Sequence, residues 1–556
     1  MREMGSTNTL LREFQDKGWK TKFPRQSWLY LFCILIVYGV LLLPTVSRQG
    51  ISWDEQMDLW VARAYLKSPD GWRVGSDIDP SQTRLPAFTV ALVYALLNKS
   101  GLILARYISC MVGALTLVAV FFYGKRRYDT RRGILACALL ATSPFFLSFA
   151  RVAFTETDIY LACTLAWLLV CVDRLQDQPS IRRAAVVGVM AGLCLSAKFT
   201  ALAVLPPVWY AVWQSKQRHP QNTTSWFKLV LFITGLAMLT FLVVPPEHLT
   251  NPSILRSLAG RFQHEMTYRP GFMVEAAALH IFSIFFKSSL VIGAGMLLSL
   301  ILATFQWRNW KIRFPILVVW FYFGCLVALP LAQTFYTIPL LPFLAVFTAD
   351  QFLALVSRQR AAVQNTAKRA VQNTAKRAVQ NTAKRAVRNT AAAVGLAGLA
   401  VLMLGVDLVL CYPDYNLNGY QWLGKRMLAG RPSVGYRSVV QTPSDGVEQV
   451  MEWLNVHAKP GERVRTYLLP WHIVQAVAPD PVYKLENGLQ GQVLADPDYV
   501  VVEINAQVRQ SWWIRSSPEE VFRPPYDSAW LESNYTKVFS VRRAFGIEMA
   551  SVFRKK

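Results

Sequence analysis

Long apolar blocks separated by short basic loops constrain this 556-residue chain more than any other feature. An apolar helix rises about 1.5 Å per residue, so ~20 residues cross the ~30 Å hydrocarbon core of a bilayer. The blocks run Trp28–Thr45, Leu102–Gly124, Gly133–Ala150, Ile159–Val172, Ala184–Ala197, Phe199–Gln214, Leu229–Pro245, Leu279–Gln306, Phe314–Leu331, Phe335–Val356 and Ala391–Leu410. Each is long enough to cross the core or most of it. The expected fold is a polytopic all-α membrane protein of about 11 transmembrane helices with a small C-terminal α/β domain. Composition agrees, with 53% apolar residues and 18 Trp. The first block lies far from the start and lacks a small-residue cleavage site, which reads as a retained signal anchor.

A formal charge of +25 would suggest nucleic acid in a soluble protein. Here the Lys and Arg lie in short loops between apolar blocks, so the pattern is the positive-inside one and no nucleic-acid partner is expected. If Lys17, Lys20, Lys22 and Arg25 are cytoplasmic, the same orientation puts Lys125-Arg126-Arg127, Arg131-Arg132, Arg182-Arg183, Lys216 with Arg218, and Arg308, Lys311 and Arg313 inside. One orientation satisfies every loop. The expected location is the cytoplasmic membrane, with the N-terminus inside and membrane lipids as neighbours.

The expected organisation is a tail over 1–27, a transmembrane module over 28–356 with outer loops at 47–98 and 246–278, a basic linker over 357–390, a last span over 391–410 and an extracytoplasmic domain over 411–556. Leu85–Leu97 is apolar but short, and is expected to lie at the outer interface. All eight Cys fall in or beside the apolar blocks without metal-ligand spacing, as packing residues would. Within the linker the octad AVQNTAKR occurs three times and decays to AVRNTA. Eight residues advance about 80° beyond two helical turns, so no fixed apolar face forms. It reads as a solvated linker, or else as a basic strip on anionic lipid headgroups. Farther on, Val447–Val456 is helix-like and Tyr499–Ile504 strand-like.

Charged residues at the ends of apolar spans cost free energy and need a reason. The expected topology collects several at the outer surface: Asp54-Glu55 after the first span, Arg84 before the interfacial segment, Arg151, Glu156 and Asp158 in one turn, Lys198 at a span end, and Lys287 inside one. Such a set suits a phosphate-bearing lipid. Arg and Lys bind a leaving phosphate by charge-assisted hydrogen bonds, while a carboxylate accepts the proton of an attacking hydroxyl.

The ordered motifs Asp54-Glu55, Arg84-Leu85-Pro86, Ala105-Arg106, Thr142-Ser143-Pro144 through Arg151 to Asp158, Gly192-Leu193 through Lys198-Phe199-Thr200, and Pro339-Leu340-Leu341-Pro342 resemble the protein O-mannosyltransferase and aminoarabinose lipid A transferase superfamily. The resemblance runs over roughly Trp28 to Ala349 and implies a GT-C fold. It implies inverting transfer of a monosaccharide from a polyprenyl-phosphate donor to a protein, lipid or glycan acceptor outside the cytoplasmic membrane. Carried over by position, Asp54 is the catalytic base, Glu55 orients it or the acceptor, and Arg84, Arg151 and Lys198 hold the donor phosphate. Asp158, with Glu156 nearby, is a second carboxylate, to which the resemblance would add a divalent cation; no separate metal motif supports one. Lys287 is an additional candidate without an assigned role. Where such proteins show an Arg-Tyr pair before the Pro-rich helix, this chain has Phe335-Tyr336.

Each residue also has a plainer reading. Asp54 and Glu55 suit a solvated first helical turn, Thr155–Asp158 suits a capping-box variant, and Arg151 and Lys198 could snorkel. A polyprenyl-lipid flippase or another polytopic transporter is the competing function; it would place charges and broken helices near the midplane.

Overall fold

The computed structural model describes residues 25–47, 53–67, 85–153, 158–220, 225–244, 246, 256, 260, 273–329, 334–372, 401–406, 408–409, 412, 446–467, 481–487, 496–503, 528–542 and 548–556. Helices dominate the first part: α1 (Arg25–Leu42), α2 (Trp53–Lys67), α3 (Leu85–Leu97), α4 (Leu102–Arg127), α5 (Thr130–Ala141), α6 (Pro144–Ala150), α7 (Asp158–Asp177), α8 (Ile181–Ala197), α9 (Leu205–Arg218), α10 (Trp226–Val243), α11 (Met273–Phe282), α12 (Leu290–Phe305), α13 (Trp310–Ala328) and α14 (Leu341–Gln372). Among the described residues five helices are long and apolar enough to cross a membrane: Gln26–Thr45, Leu102–Arg127, Trp226–Val243, Trp310–Ala328 and Phe335–Arg358. The protein is therefore a multi-pass membrane protein. The expected last span is described only at 401–406 and 408–409, which are helical.

Not every expected span is a single rod. Gly133–Ala150 breaks into α5 and α6, which are bent by 67°. The cause is local: Pro144 opens α6, and Ser143 before it is extended, because a residue preceding Pro is pushed out of the helical region. Leu279–Gln306 divides into the end of α11, a π-helical turn over Ser283–Lys287, and α12. Ser289 there has φ +83°, a left-handed conformation rarely adopted by side-chain-bearing residues. Four residues on, a Cβ on Gly293 would collide with the Phe285 carbonyl, so glycine permits the close approach. A further departure lies in α14, which runs on into the first octads as far as Gln372.

Leu85–Leu97 is a helix as expected, but it is packed rather than merely laid on a surface. Ala87, Val90, Ala91 and Tyr94 meet Leu59, Val61, Ala62 and Tyr65 of α2 and Ala105 and Ile108 of α4. The main core lies where α4, α5, α7, α8 and α14 meet. All of α6 is buried there.

Farther along, α15 (Val447–His457) and α16 (Ser528–Asn534) accompany β1 (Arg463–Tyr467), β2 (Lys484–Asn487), β3 (Tyr499–Glu503), β4 (Tyr535–Arg542) and β5 (Glu548–Lys555). The strands form one sheet of order β2-β1-β3-β5-β4. β1 pairs in parallel with β2 and β3, and β5 pairs antiparallel with β3 and β4. Side chains alternate across a strand: Tyr499 and Val501 pack with Val450, Met451 and Leu454 of α15, whereas Val500 and Val502 pack with Leu531 and Tyr535 on the opposite face. Burial on both faces explains the unbroken apolar run of β3.

Among the described residues the most extensive helix pairing is α8 on α10. Gly188 and Gly192, spaced as in small-xxx-small contacts, let the backbones approach. A Cβ on Gly192 would lie 2.5 Å from both the Ala237 carbonyl and Thr240 Cβ, whereas Gly235 has nothing within 4 Å. Gly192→Leu is expected to destabilise the bundle by about 1–3 kcal/mol or more through overpacking, and Gly235→Leu to leave it unchanged. Thermal melts of the purified variants in one detergent check the contrast.

Candidate active site

The first turn of α2 is anchored from three directions. Glu55 is completely buried and accepts from Arg106 of α4 through both carboxylate oxygens, Nε to Oε1 and Nη2 to Oε2, each at 2.8 Å. The Ala153 backbone N–H donates to the same Oε1 at 2.7 Å, and Arg106 Nη1 donates to the Val46 carbonyl at 2.9 Å. A bidentate guanidinium fits a carboxylate in one plane, so the contact fixes orientation as well as distance. It ties together the end of the first span, the start of α2, the first turns of α4 and the turn after α6. Asp54, the residue before Glu55, is the second residue of α2.

A second pair lies where α7 begins and α8 ends. Asp158 opens α7, is fully buried, and accepts from Lys198 Nζ at 2.7 Å. Lys198 leaves the helix in an extended conformation, φ −160° and ψ 134°, while its N–H still caps the Cys194 carbonyl. A 3₁₀ turn over Phe199–Val204 follows at once. This break, rather than snorkelling, directs the ammonium inward. Its Nζ lies 3.8 Å from the Tyr336 ring centroid and 5.5 Å from that of Phe335, a cation–π arrangement strengthened by exclusion of water.

The aromatic wall continues from there. Phe335 packs on Phe149 with ring centroids 5.9 Å apart, and Phe149 on Phe145 at 5.7 Å. Lys287, buried at the end of the π turn, lies 5.9 Å from the Phe145 centroid. Arg151, which ends α6, is 2% exposed. It and Arg106 are both within electrostatic reach of Cys110, whose carbonyl accepts from Tyr38 Oη.

Of the residues expected from sequence, the structure thus joins Asp158 to Lys198 directly and links them to Lys287 through four aromatic rings. Arg151 is buried two residues from Ala153, the partner of Glu55. Arg84 and Glu156 lie outside the described residues, as does the side chain of Asp54. Arg106 stands in the sequence only as a landmark of the second span, although a lone charge in the run Leu102–Gly124 signals by itself that a buried partner must exist. Tyr336 stands there only as a departure from a pattern. Its position against Lys198 depends on the 3₁₀ turn Thr334–Leu340, which no periodicity announces. Among the described residues no group of three or more His, Cys, Asp and Glu side chains could hold a metal ion. Asp158 faces an ammonium, so the described residues do not fit a divalent-cation site.

Residues 81–244 match the family model described as dolichyl-phosphate-mannose-protein mannosyltransferase. No curated protein matches the chain in sequence. Matching solved structures include ArnT from Cupriavidus metallidurans bound to undecaprenyl phosphate, 13% identical, with 94% of this chain and 97% of that one covered and a TM-score of 0.45. The archaeal oligosaccharyltransferase AglB from Archaeoglobus fulgidus, in complex with an inhibitory peptide and a dolichol-phosphate, is 12% identical, with coverages of 97% and 75% and a TM-score of 0.47. A protein O-mannosyltransferase complex of S. cerevisiae bound to the sugar donor is 14% identical, covers 43% of this chain and 35% of that one, and has a TM-score of 0.33. Over residues 81–244, which include Arg106, Arg151, Asp158 and Lys198, the chain is thus similar to the dolichyl-phosphate-mannose-protein mannosyltransferase family.

Proposed function

We propose that the protein is an inverting glycosyltransferase that moves a monosaccharide from a polyprenyl-phosphate donor to an acceptor at the outer face of the cytoplasmic membrane. The observation that carries this reading is the coincidence of the matched segment 81–244 with the buried Asp158–Lys198 pair and Arg151. Residues 28–356 form the catalytic module, 357–390 the cytoplasmic linker, 391–410 the last span and 411–556 an extracytoplasmic domain.

In the reaction, Asp54 takes the proton of the acceptor hydroxyl as its oxygen bonds to the anomeric carbon. The bond from that carbon to the phosphate oxygen breaks, and its electron pair leaves with the polyprenyl phosphate. Arg84, Arg151 and Lys198 stabilise the charge gathering on that phosphate, in a dry site where fixed cations act more strongly than in water. Asp158 aims Lys198, and Lys287, buried at the other end of the aromatic wall, is an additional candidate. Glu55, fully committed to Arg106 and the Ala153 N–H, acts by holding the turn that carries Asp54. The buried position of Lys198 on the Tyr336 ring supports a phosphate-facing role over an interfacial one.

Asp54→Asn is expected to lower transfer at least ~10²-fold, the scale of a lost general base, with insertion and melting temperature unchanged. Membranes supplied with labelled polyprenyl-phosphate sugars and an envelope extract measure it. Transfer that survives the substitution would remove Asp54 from the reaction; labelled lipid crossing the bilayer with no transfer from any donor would replace the enzyme by a flippase.

Glu55→Gln, in contrast, strands a buried guanidinium and is expected to cost about 3–5 kcal/mol of stability. Pairing it with Arg106→Gln recovers part of that loss, which melts of the single and double variants would show. Lys198→Gln, which strands buried Asp158 and so also lowers the melting temperature, is expected to reduce kcat/KM for the donor roughly 10–100-fold, as loss of a charge-assisted contact does, without altering the acceptor KM.

A further inference from the structure

The opposite, basic end of the bundle holds a second charge cluster that the transferase reading does not use. Asp173 of α7 accepts from Arg126 Nε at 2.7 Å and from Arg127 Nη1 at 2.6 Å, and Asp177 accepts from Arg126. Arg127 is further held by the Lys311 carbonyl at 2.9 Å. Both carboxylates are therefore engaged by the Arg126-Arg127 pair.

Arg218, at the end of α9, joins this cluster without a carboxylate contact of its own. Its Cζ lies 3.5 Å from the Trp310 ring centroid, and Arg127 Cζ lies 4.2 Å from the same ring. Arg127 and Arg313 are the cations, and Asp173 and Asp177 the carboxylates, that act on it electrostatically. Its Nη2 is buried and has no hydrogen-bond partner among the described residues. Arginines thus outnumber carboxylates in this cluster, and one guanidinium nitrogen of Arg218 remains without a partner among the described residues.

The surroundings show what would complete it. Tyr210 on α9 packs against Trp213 with centroids 5.5 Å apart and against Trp307 at 6.4 Å. Trp213 and Trp307 are each about two-fifths exposed, and Phe305 is 84% exposed. Trp and Tyr collect where a bilayer's headgroups meet its acyl chains, so the Arg218 guanidinium, stacked on Trp310, belongs at headgroup depth beside apolar surface. An arginine fork matches phosphate oxygens geometrically.

We propose that Arg218, backed by Trp310 and flanked by Arg127 and Arg313, binds the phosphate of an anionic phospholipid between α9 and the α12–α13 turn. The lipid's chains lie along the exposed face that ends at Phe305. The bound phosphate neutralises the surplus charge and braces α9 against α13, at the end of the molecule away from the candidate active site.

Delipidated full-length protein in a neutral detergent, titrated with phosphatidylglycerol, phosphatidylcholine or inorganic phosphate and followed by native mass spectrometry and thermal melting, tests this. Phosphatidylglycerol is expected to be retained and to raise the melting temperature. Arg218→Gln should reduce retention roughly fivefold or more, as loss of a charge-assisted contact would. Lys228→Gln, which removes an exposed charge near the start of α10, should leave it unchanged. Arg218→Lys, which keeps the charge but loses the planar fork, should retain an intermediate amount and covers the case in which Arg218→Gln does not fold. Equal loss in Arg218→Gln and Lys228→Gln would overturn the site in favour of diffuse surface charge. Equal retention of phosphatidylcholine, or equal protection by inorganic phosphate, would overturn the phospholipid as its occupant.

Discussion

Moving a carboxylate or a guanidinium out of water costs several kcal/mol even after the protein relaxes around it, and around the candidate active site that cost is offset at two places. At one, Glu55 and Arg106 neutralise each other with both carboxylate oxygens and three guanidinium nitrogens engaged. At the other, Asp158 and Lys198 pair beneath an aromatic wall. Each pair joins elements far apart in sequence, so neither forms until the helices carrying it have packed. Specificity of arrangement, more than net stability, is what such pairs supply.

Helix breaks serve the same end. The 67° bend before Pro144 lets α6 turn into the core and end at Arg151. The break after Ala197 swings Lys198 toward Asp158, and the π turn at Ser283–Lys287 brings Lys287 to Phe145. The last two breaks thus set Lys198 and Lys287 at opposite ends of a shared wall of Phe145, Phe149, Phe335 and Tyr336. The irregular backbone is tolerated because it is enclosed by protein rather than lipid.

The two ends of the bundle use charge differently. Around the candidate active site, Glu55 pairs with Arg106 and Asp158 with Lys198, and Arg151 and Lys287 are buried beside these pairs. At the basic end, arginines outnumber carboxylates and are spread over the Trp310 ring. That asymmetry has the sign expected of a membrane protein whose basic loops stay inside. Arg126 and Arg127 nevertheless do more than mark orientation, since their contacts to Asp173 join the end of α4 to α7.

Much of this architecture is legible in the amino-acid order. Apolar runs mark the helices, basic loops mark an orientation, and the unbroken apolar run at Tyr499 marks a buried strand, because each depends on composition over a short window. Charges that an apolar segment could not tolerate unaided, among them Glu55, Arg151, Asp158 and Lys198, mark the candidate site for the same reason. Partnership is not legible: nothing near Glu55 in sequence points to Arg106, 51 residues away, and nothing near Lys198 points to Tyr336. Nor are the breaks within Gly133–Ala150 and Leu279–Gln306, since hydropathy averages over a window in which one Ser-Pro step or one left-handed Ser disappears. The sequence by itself determined which segments leave water and which charges must find company there. Tertiary structure alone decided which charges meet, because that depends on bends and close helix approaches summed over the whole bundle.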